Sequence, residues 1–244
     1  MEKFVYQQLH KLETSHWWYQ GRETIIKAVL KKFLHNKSQL KILDIGCGGG
    51  SITKPLTSYG SVTGLDNNQD VVNLCNKQGE RVVKGNATRL PFPDQSFNFI
   101  VALEVFEHVK DDTLAIKEAY RVLKRNGRLF LSVPAFPILW GNHDMAAHHY
   151  RRYTQHELLN KLKVCGFSVL KLTYMNFFLF LPIVVFRLFH KKIFKPRSML
   201  DSAYFSNITW LNFLLAKILS LEAMFLPRLS LPFGVTLICV VQKK

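Results

Sequence analysis

Short apolar runs alternate along the chain with stretches in which apolar residues recur every three or four positions, and these two periodicities separate strands from helices. Strands are predicted at 40–45, 61–66, 81–84, 97–103, 127–134, 167–174 and 234–242. Helices are predicted at 21–35, 52–58, 68–77, 111–124 and 155–164. Alternation of this kind builds an α/β fold, a mostly parallel sheet with helices on both faces. Local signals mark some boundaries. Thr154 and Glu157 have capping-box spacing, and Gly127 and Gly166 stand where they would close the helices ahead of two strands. The pattern changes after the sixth strand, where residues 175–229 are rich in Phe, Leu and Ile. That stretch reads as a hydrophobic helical insertion in a core formed by 39–174 and 230–244.

Composition narrows the partners. Lys and Arg number 33 against 17 Asp and Glu, a formal net charge of +16, which favours an anionic partner such as a membrane surface or nucleic acid. Cys47, Cys75, Cys165 and Cys239 contain no CxxC pair, so neither a zinc site nor a disulfide framework is expected, and a reducing compartment is. The first residues, MEKFVYQQLHKLE, are amphipathic and carry acids, unlike the apolar core of a signal peptide. A cytoplasmic protein is expected.

The first strand runs into Asp44-x-Gly46-x-Gly48-x-Gly50. Glycines there let the backbone approach a ligand where a side chain would collide. A dinucleotide site would carry a third Gly or Ala at Ser51 and hold a pyrophosphate on the helix N-terminus. An acid at Asp44 repels a pyrophosphate and suits an ammonium group. Asp66 ends the second strand 20 residues beyond Gly46 and suits a ribose diol in need of an acceptor. Ammonium and ribose without phosphate point to S-adenosylmethionine.

Four stretches, LDIGCGGG, GLDNN, GNATRLPFPDQSFNFIVALEVFEHV and LKRNGRLFLSVP, cover about residues 40–134. They resemble, in order, the motifs of class I S-adenosylmethionine-dependent methyltransferases of the type 11, small-molecule kind. The resemblance implies a Rossmann-like seven-stranded fold and S-adenosylmethionine, with S-adenosylhomocysteine as product. It also implies that Asp44, Gly46 and Gly48 surround the methionine part, Asp66 takes the ribose hydroxyls and Asn86 and Ala87 meet the adenine, with Cys47 and Asn67 counted as cofactor-binding beside them. The family more often has Asp at Asn86, whose carbonyl can still accept from the adenine amine, and Gly85 fits the approach of a flat ring. Cys47 is read as packing and not as a nucleophile.

Two stretches carry candidate chemistry. In EVFEHV, Glu104, Glu107 and His108 resemble the motif of ubiquinone-biosynthesis O-methyltransferases, where the matching residues have a divalent-metal role. Glu104 is expected to line the cofactor pocket, Glu104 and His108 count as catalytic candidates, and no metal is expected. In GNHDMAAHHYRRYT, between the fifth strand and the next helix, His149 is a candidate base. His143, His148, Arg151, Arg152 and Tyr153 are read as substrate-binding, the arginines as a grip for phosphate or carboxylate. HYRRYT resembles a motif in bacterial methyltransferases that begin with an aromatic HWW segment, present here as His16-Trp17-Trp18. Residues 1–38 are therefore expected to form a helical lid, with Trp18 and Arg22 over the cofactor.

In the insertion, Pro182, Arg187, Lys217 and Glu222 interrupt the apolar runs before either reaches the length of a membrane span. A helix pair lying on a membrane or roofing a greasy pocket is expected. The favoured acceptor is a small, lipophilic or lipid-linked molecule, met in the cytoplasm or on the cytoplasmic face of a membrane. The alternative is a nucleic-acid-binding or RNA-modifying protein on the same fold. Against that alternative, the basic residues cluster beside apolar helices without aromatic interleaving, and LEVFEH stands where amino-methylating enzymes carry an NPPY-like motif.

Overall fold

The computed structural model describes residues 16–34, 39–193 and 209–244. Strands β1 (Leu40–Ile45), β2 (Gly60–Asp66), β3 (Val82–Lys84), β4 (Phe97–Leu103), β5 (Leu123–Pro134), β6 (Phe167–Met175) and β7 (Thr236–Lys243) form one sheet. Their order is β3-β2-β1-β4-β5-β7-β6, and β7 runs antiparallel to both neighbours. The chain steps outward from β1 to β3 and then returns beside β1 as β4. That reversal, at the carboxyl ends of β1 and β4, is where open α/β sheets bind their ligands.

Eight helices are described: α1 (Trp17–Leu34), α2 (Thr53–Leu56), α3 (Gln69–Lys77), α4 (Asp112–Val122), α5 (Asn142–Ala146), α6 (Gln155–Val164), α7 (Phe180–Ile193) and α8 (Thr209–Phe225). The central strands are apolar on both faces because both are covered. On one side Leu43, Ile100 and Leu131 pack with Ala115 and Ile116 of α4 and with Leu158 and Leu162 of α6. On the other, Ile42, Phe99 and Phe130 pack with Ile25, Ile26 and Val29 of α1 and with Leu219 and Ala223 of α8.

Three local outcomes differ from expectation or sharpen it. Helix α4 ends at Val122 and β5 starts at once, so Gly127 lies inside a strand and closes no helix. Asn126 takes φ 61° there, and a Cβ on Gly127 would lie 2.7 Å from the Lys124 carbonyl oxygen. Gly166 does follow α6, at φ 93°, and the Thr154 hydroxyl caps the same helix by accepting from the Glu157 amide at 3.2 Å. Helix α1 is part of the sheet's cover, since any side chain at Gly21 would collide with Leu219 of α8. The Trp17 amide donates to Asn212 Oδ1 at 2.7 Å, a second tie between α1 and α8.

Between β6 and β7 the described residues form two helices, α7 and α8. Glu222, fully buried on α8, accepts from the amides of Asn176 (2.7 Å) and Phe178 (3.1 Å) and pins α8 to the end of β6. No helix among the described residues is long and apolar enough to cross a membrane. His190 to Ile193 close α7, while the remainder of the basic cluster, to Arg197, lies outside the described residues, as do residues 1–15.

Candidate active site

The turn after β1 is held by Leu65, whose carbonyl accepts from the amides of Gly46 (2.7 Å) and Cys47 (3.2 Å). Gly46 and Gly48 both have positive φ, 70° and 51°. Their neighbourhoods differ. A Cβ on Gly46 would come 2.7 Å from Val105 Cγ2, in the loop after β4, whereas one on Gly48 would meet nothing within 4 Å. The first glycine brings two loops together and the second leaves space above the turn.

Asp44, 3% exposed, accepts from Thr53 Oγ at 2.7 Å. Burial, reinforced by the charges of Glu80 and Asp66, pushes its pKa up to about 7. A buried carboxylate surrounded by other acids is stabilised by a cationic ligand. Asp66, at the end of β2, accepts from the amides of Gly48 (3.2 Å) and Asn68 (2.9 Å), and a carboxylate has lone pairs left for a diol. The cap of α3 is Asn68, which accepts from Asp70, and not Asp66. Asn67 is exposed beside it. Space above Gly48, an acid suited to an ammonium and an acceptor suited to a diol together fit S-adenosylmethionine.

Some expected contacts are revised. Asn86 is exposed, but its Oδ1 accepts from the Thr88 amide and hydroxyl, both at 3.0 Å. The carbonyl expected to meet the adenine amine is turned into its own loop, which is closed by buried Ala87. Gly85 is required by packing, because a Cβ there would lie 2.7 Å from Leu65 Cδ1. Cys47 is a free thiol packed with Val71, Val72, Cys75 and Val82, and a hydrogen bond with the Cys75 thiol and its burial push its pKa up. Trp18 and Arg22 are half-buried at the start of α1, and Arg22 lies 5.3 Å from the Tyr19 ring. One turn on, Glu23 lines a cavity of about 380 Å³ with Gly49, Gly50, Lys54 and Glu80, so α1 does border the glycine turn.

In the loop after β4 Glu104 takes φ 54° and its Oε1 accepts from Ser132 Oγ at 2.8 Å. Glu107 is fully buried, and neither carboxyl oxygen has a hydrogen-bond partner among the described residues. Burial and the neighbouring Glu104 hold its pKa well above the usual carboxylate range. The Tyr150 amide donates to the Glu107 carbonyl at 2.7 Å and draws the loop after β5 against this one. His149 thereby meets His108, with ring centroids 4.6 Å apart, and His143 stands 6.1 Å away. His149 Nδ1 lies 2.9 Å from Asp144 Oδ1. Burial opposes ionisation of Asp144, but His149 and Arg152 outweigh it and hold the carboxyl well below its ordinary value. Glu107, His108 and His149 place ligand-type atoms within 4.8 Å of one another, a grouping able to hold a divalent cation.

The arginine grip is not assembled. Arg152 is buried, donating to Asp144 Oδ1 at 2.8 Å and to the Ala135 carbonyl at 3.0 Å. Arg151 pairs with Asp112 at 2.9 Å and donates to the Lys110 carbonyl. Tyr153 is fully buried and its hydroxyl donates to Asp112 at 2.7 Å. These three residues hold the loop; His143 and His148 are exposed, whereas only 7% of the His149 side chain is. Asp144, whose role was not anticipated, stands in the same NHDMAAHH stretch, and an acid five positions before a histidine was the available signal.

Residues 43–131 match the family described as Methyltransferase domain. Over that stretch the chain is similar to class I S-adenosylmethionine-dependent methyltransferases. The ubiquinone biosynthesis O-methyltransferase of Pelagibacter ubique is 27% identical over 157 residues, 57% of this chain and 65% of that protein. The demethylmenaquinone methyltransferase of Lactobacillus johnsonii is 36% identical over 112 residues, 40% of this chain and 46% of that protein. The match thus spans less than two thirds of either relative. An S-adenosylmethionine-dependent methyltransferase structure from Thermotoga maritima superposes with a TM-score of 0.59 at 19% identity, covering 100% of both chains. The family match covers the glycine turn and the EVFEH loop and stops before the Asp144–His149 pair and the insertion.

Proposed function

We propose that the protein transfers a methyl group from S-adenosylmethionine to a small, lipophilic or lipid-linked acceptor by in-line displacement. The observation that carries the reading is the open space above Gly48 beside two acids, Asp44 and Asp66, whose chemistry suits an ammonium and a ribose. S-adenosylmethionine, when bound, supplies an electrophilic sulfonium methyl. Asp44 would orient the ammonium, Asp66 the ribose, and Glu104, held by Ser132, the wall of the pocket. His149, oriented by Asp144, would take the acceptor's proton at its other ring nitrogen, with His108 beside it. This assigns proton transfer to the histidines and requires no metal.

The lipophilic acceptor is supported by an aromatic cluster at the same end of the sheet. Phe136 stacks on Tyr174 at 5.3 Å, and Phe180 and Phe233, 5.1 Å apart, extend the cluster into the insertion. The quinone and sterol methyltransferases among the relatives are consistent with such an acceptor. Calorimetric titration with S-adenosylmethionine and S-adenosylhomocysteine tests the cofactor half. Binding that Asp66→Ala abolishes supports it, and no binding by the intact protein overturns it. Transfer of labelled methyl to a lipid extract, lost in His149→Ala, tests the acceptor half.

A further inference from the structure

Helix α8 has two apolar faces. Ala216, Leu219 and Ala223 face inward, packed with α1 and the sheet. Trp210, Phe213, Leu214, Leu221, Met224 and Phe225 form a second stripe along the outward side, at helical spacing, interrupted by Lys217. These side chains are open to solvent: Trp210 is 69% exposed, Phe213 62% and Met224 65%. Lys217 folds its ammonium to 5.3 Å from the Phe213 ring, the posture of a cation that keeps its stem in an apolar layer and its charge in water. A stripe of this size on a surface helix marks an interaction face.

Charge identifies what the face meets. Between Asn176 and Val235 the sequence carries seven basic residues, Arg187, Lys191, Lys192, Lys195, Arg197, Lys217 and Arg228, against two acids, Asp201 and Glu222. Glu222 is fully buried under α8 and accepts two backbone amides. Lys191 and Lys192 belong to the last turn of α7, the helix that precedes this stripe. An apolar helix face in a stretch of sequence rich in lysine and arginine, on helices too polar or too short to span a bilayer, has the makings of an interfacial anchor.

We propose that α8 lies in the interface of an anionic lipid bilayer, its Trp210–Phe225 stripe among the acyl chains and the exposed Lys217 and Arg228 against the headgroups. The inference extends the reading of a lipid-linked acceptor but rests on α8 alone, so failure of cofactor binding leaves it standing. Flotation with phosphatidylcholine vesicles, with and without about one third phosphatidylglycerol, tests it. The protein should float with the anionic vesicles at low salt, and Phe213→Glu/Met224→Glu should lower the bound fraction about tenfold. Lys163→Glu, on the exposed side of α6 across the sheet, makes the same change in net charge and should float like the parent. Both variants replace exposed residues, and unchanged thermal midpoints and S-adenosylmethionine titrations would confirm that they are folded. Equal flotation of parent and α8 variant, or equal loss in Lys163→Glu, overturns the proposal. Sedimentation equilibrium supplies the remaining arm, since a parent dimer that Phe213→Glu/Met224→Glu makes monomeric would assign the stripe to a second copy of the chain.

Discussion

Asp44 shows how much a single side chain controls here. Its pKa of about 7 means that the carboxyl is partly protonated near neutrality before ligand binds. An ammonium partner requires the anion and lowers that pKa, so affinity for S-adenosylmethionine should rise from below pH 7 to above it. Below pH 7 the affinity should fall by up to about tenfold per unit. Calorimetry in two buffers of different ionisation enthalpy should detect proton release on binding near pH 7, and Asp44→Asn should show neither effect. His149→Ala should lower kcat by about 10²–10⁴-fold, with cofactor affinity unchanged by titration. Asp144→Asn differs in kind, because it leaves the Arg152 guanidinium buried beside an uncharged amide. It should cost about 3–5 kcal/mol in chemical denaturation. The contrast explains what was legible at this scale. Asp44 and Asp66 are flagged by the glycine turn next to them, whereas the partner that removes Tyr153 from the substrate surface, Asp112, is 41 positions away.

At the scale of the element, strands β1 and β4 were readable to the residue because an apolar run buried on both faces needs no partner to define it. Strand β5 was not, since Leu123 already pairs with Phe97, the polar residues Lys124 to Asn126 that look like a turn lie at an irregularity in the ladder, and pairing resumes at Arg128. Helix α1 was read as a lid over the cofactor because its aromatic residues stand in a recognisable segment. Its glycine is explained by α8 instead. Gly21→Ala should force α1 and α8 apart and cost about 1–3 kcal/mol in denaturant melts. Trp18→Ala separates the two roles of this segment. If Trp18 covers the cofactor, its loss weakens S-adenosylmethionine binding more than it lowers the thermal midpoint; the reverse order assigns Trp18 to packing alone.

Across the whole molecule, the proposal that the histidines transfer a proton without a metal predicts that dialysis against EDTA leaves methyl transfer unchanged. Activity lost to EDTA and restored by a divalent ion would give Glu107, His108 and His149 the role of ligands. The sequence by itself determined the sheet, the glycine turn with its two acids and the hydrophobic character of the insertion. Each is encoded within a few neighbouring residues, by periodicity, by the conformations open to glycine, or by composition. Tertiary structure alone decided the rest. It folded the loop after β5 against the loop after β4, so that His149 meets His108 and Glu107. It made Arg152 and Tyr153 internal supports, and it chose which of α8's two apolar faces is buried. Those outcomes depend on ion pairs, crossings and packing between residues far apart in the chain, and no local pattern records them.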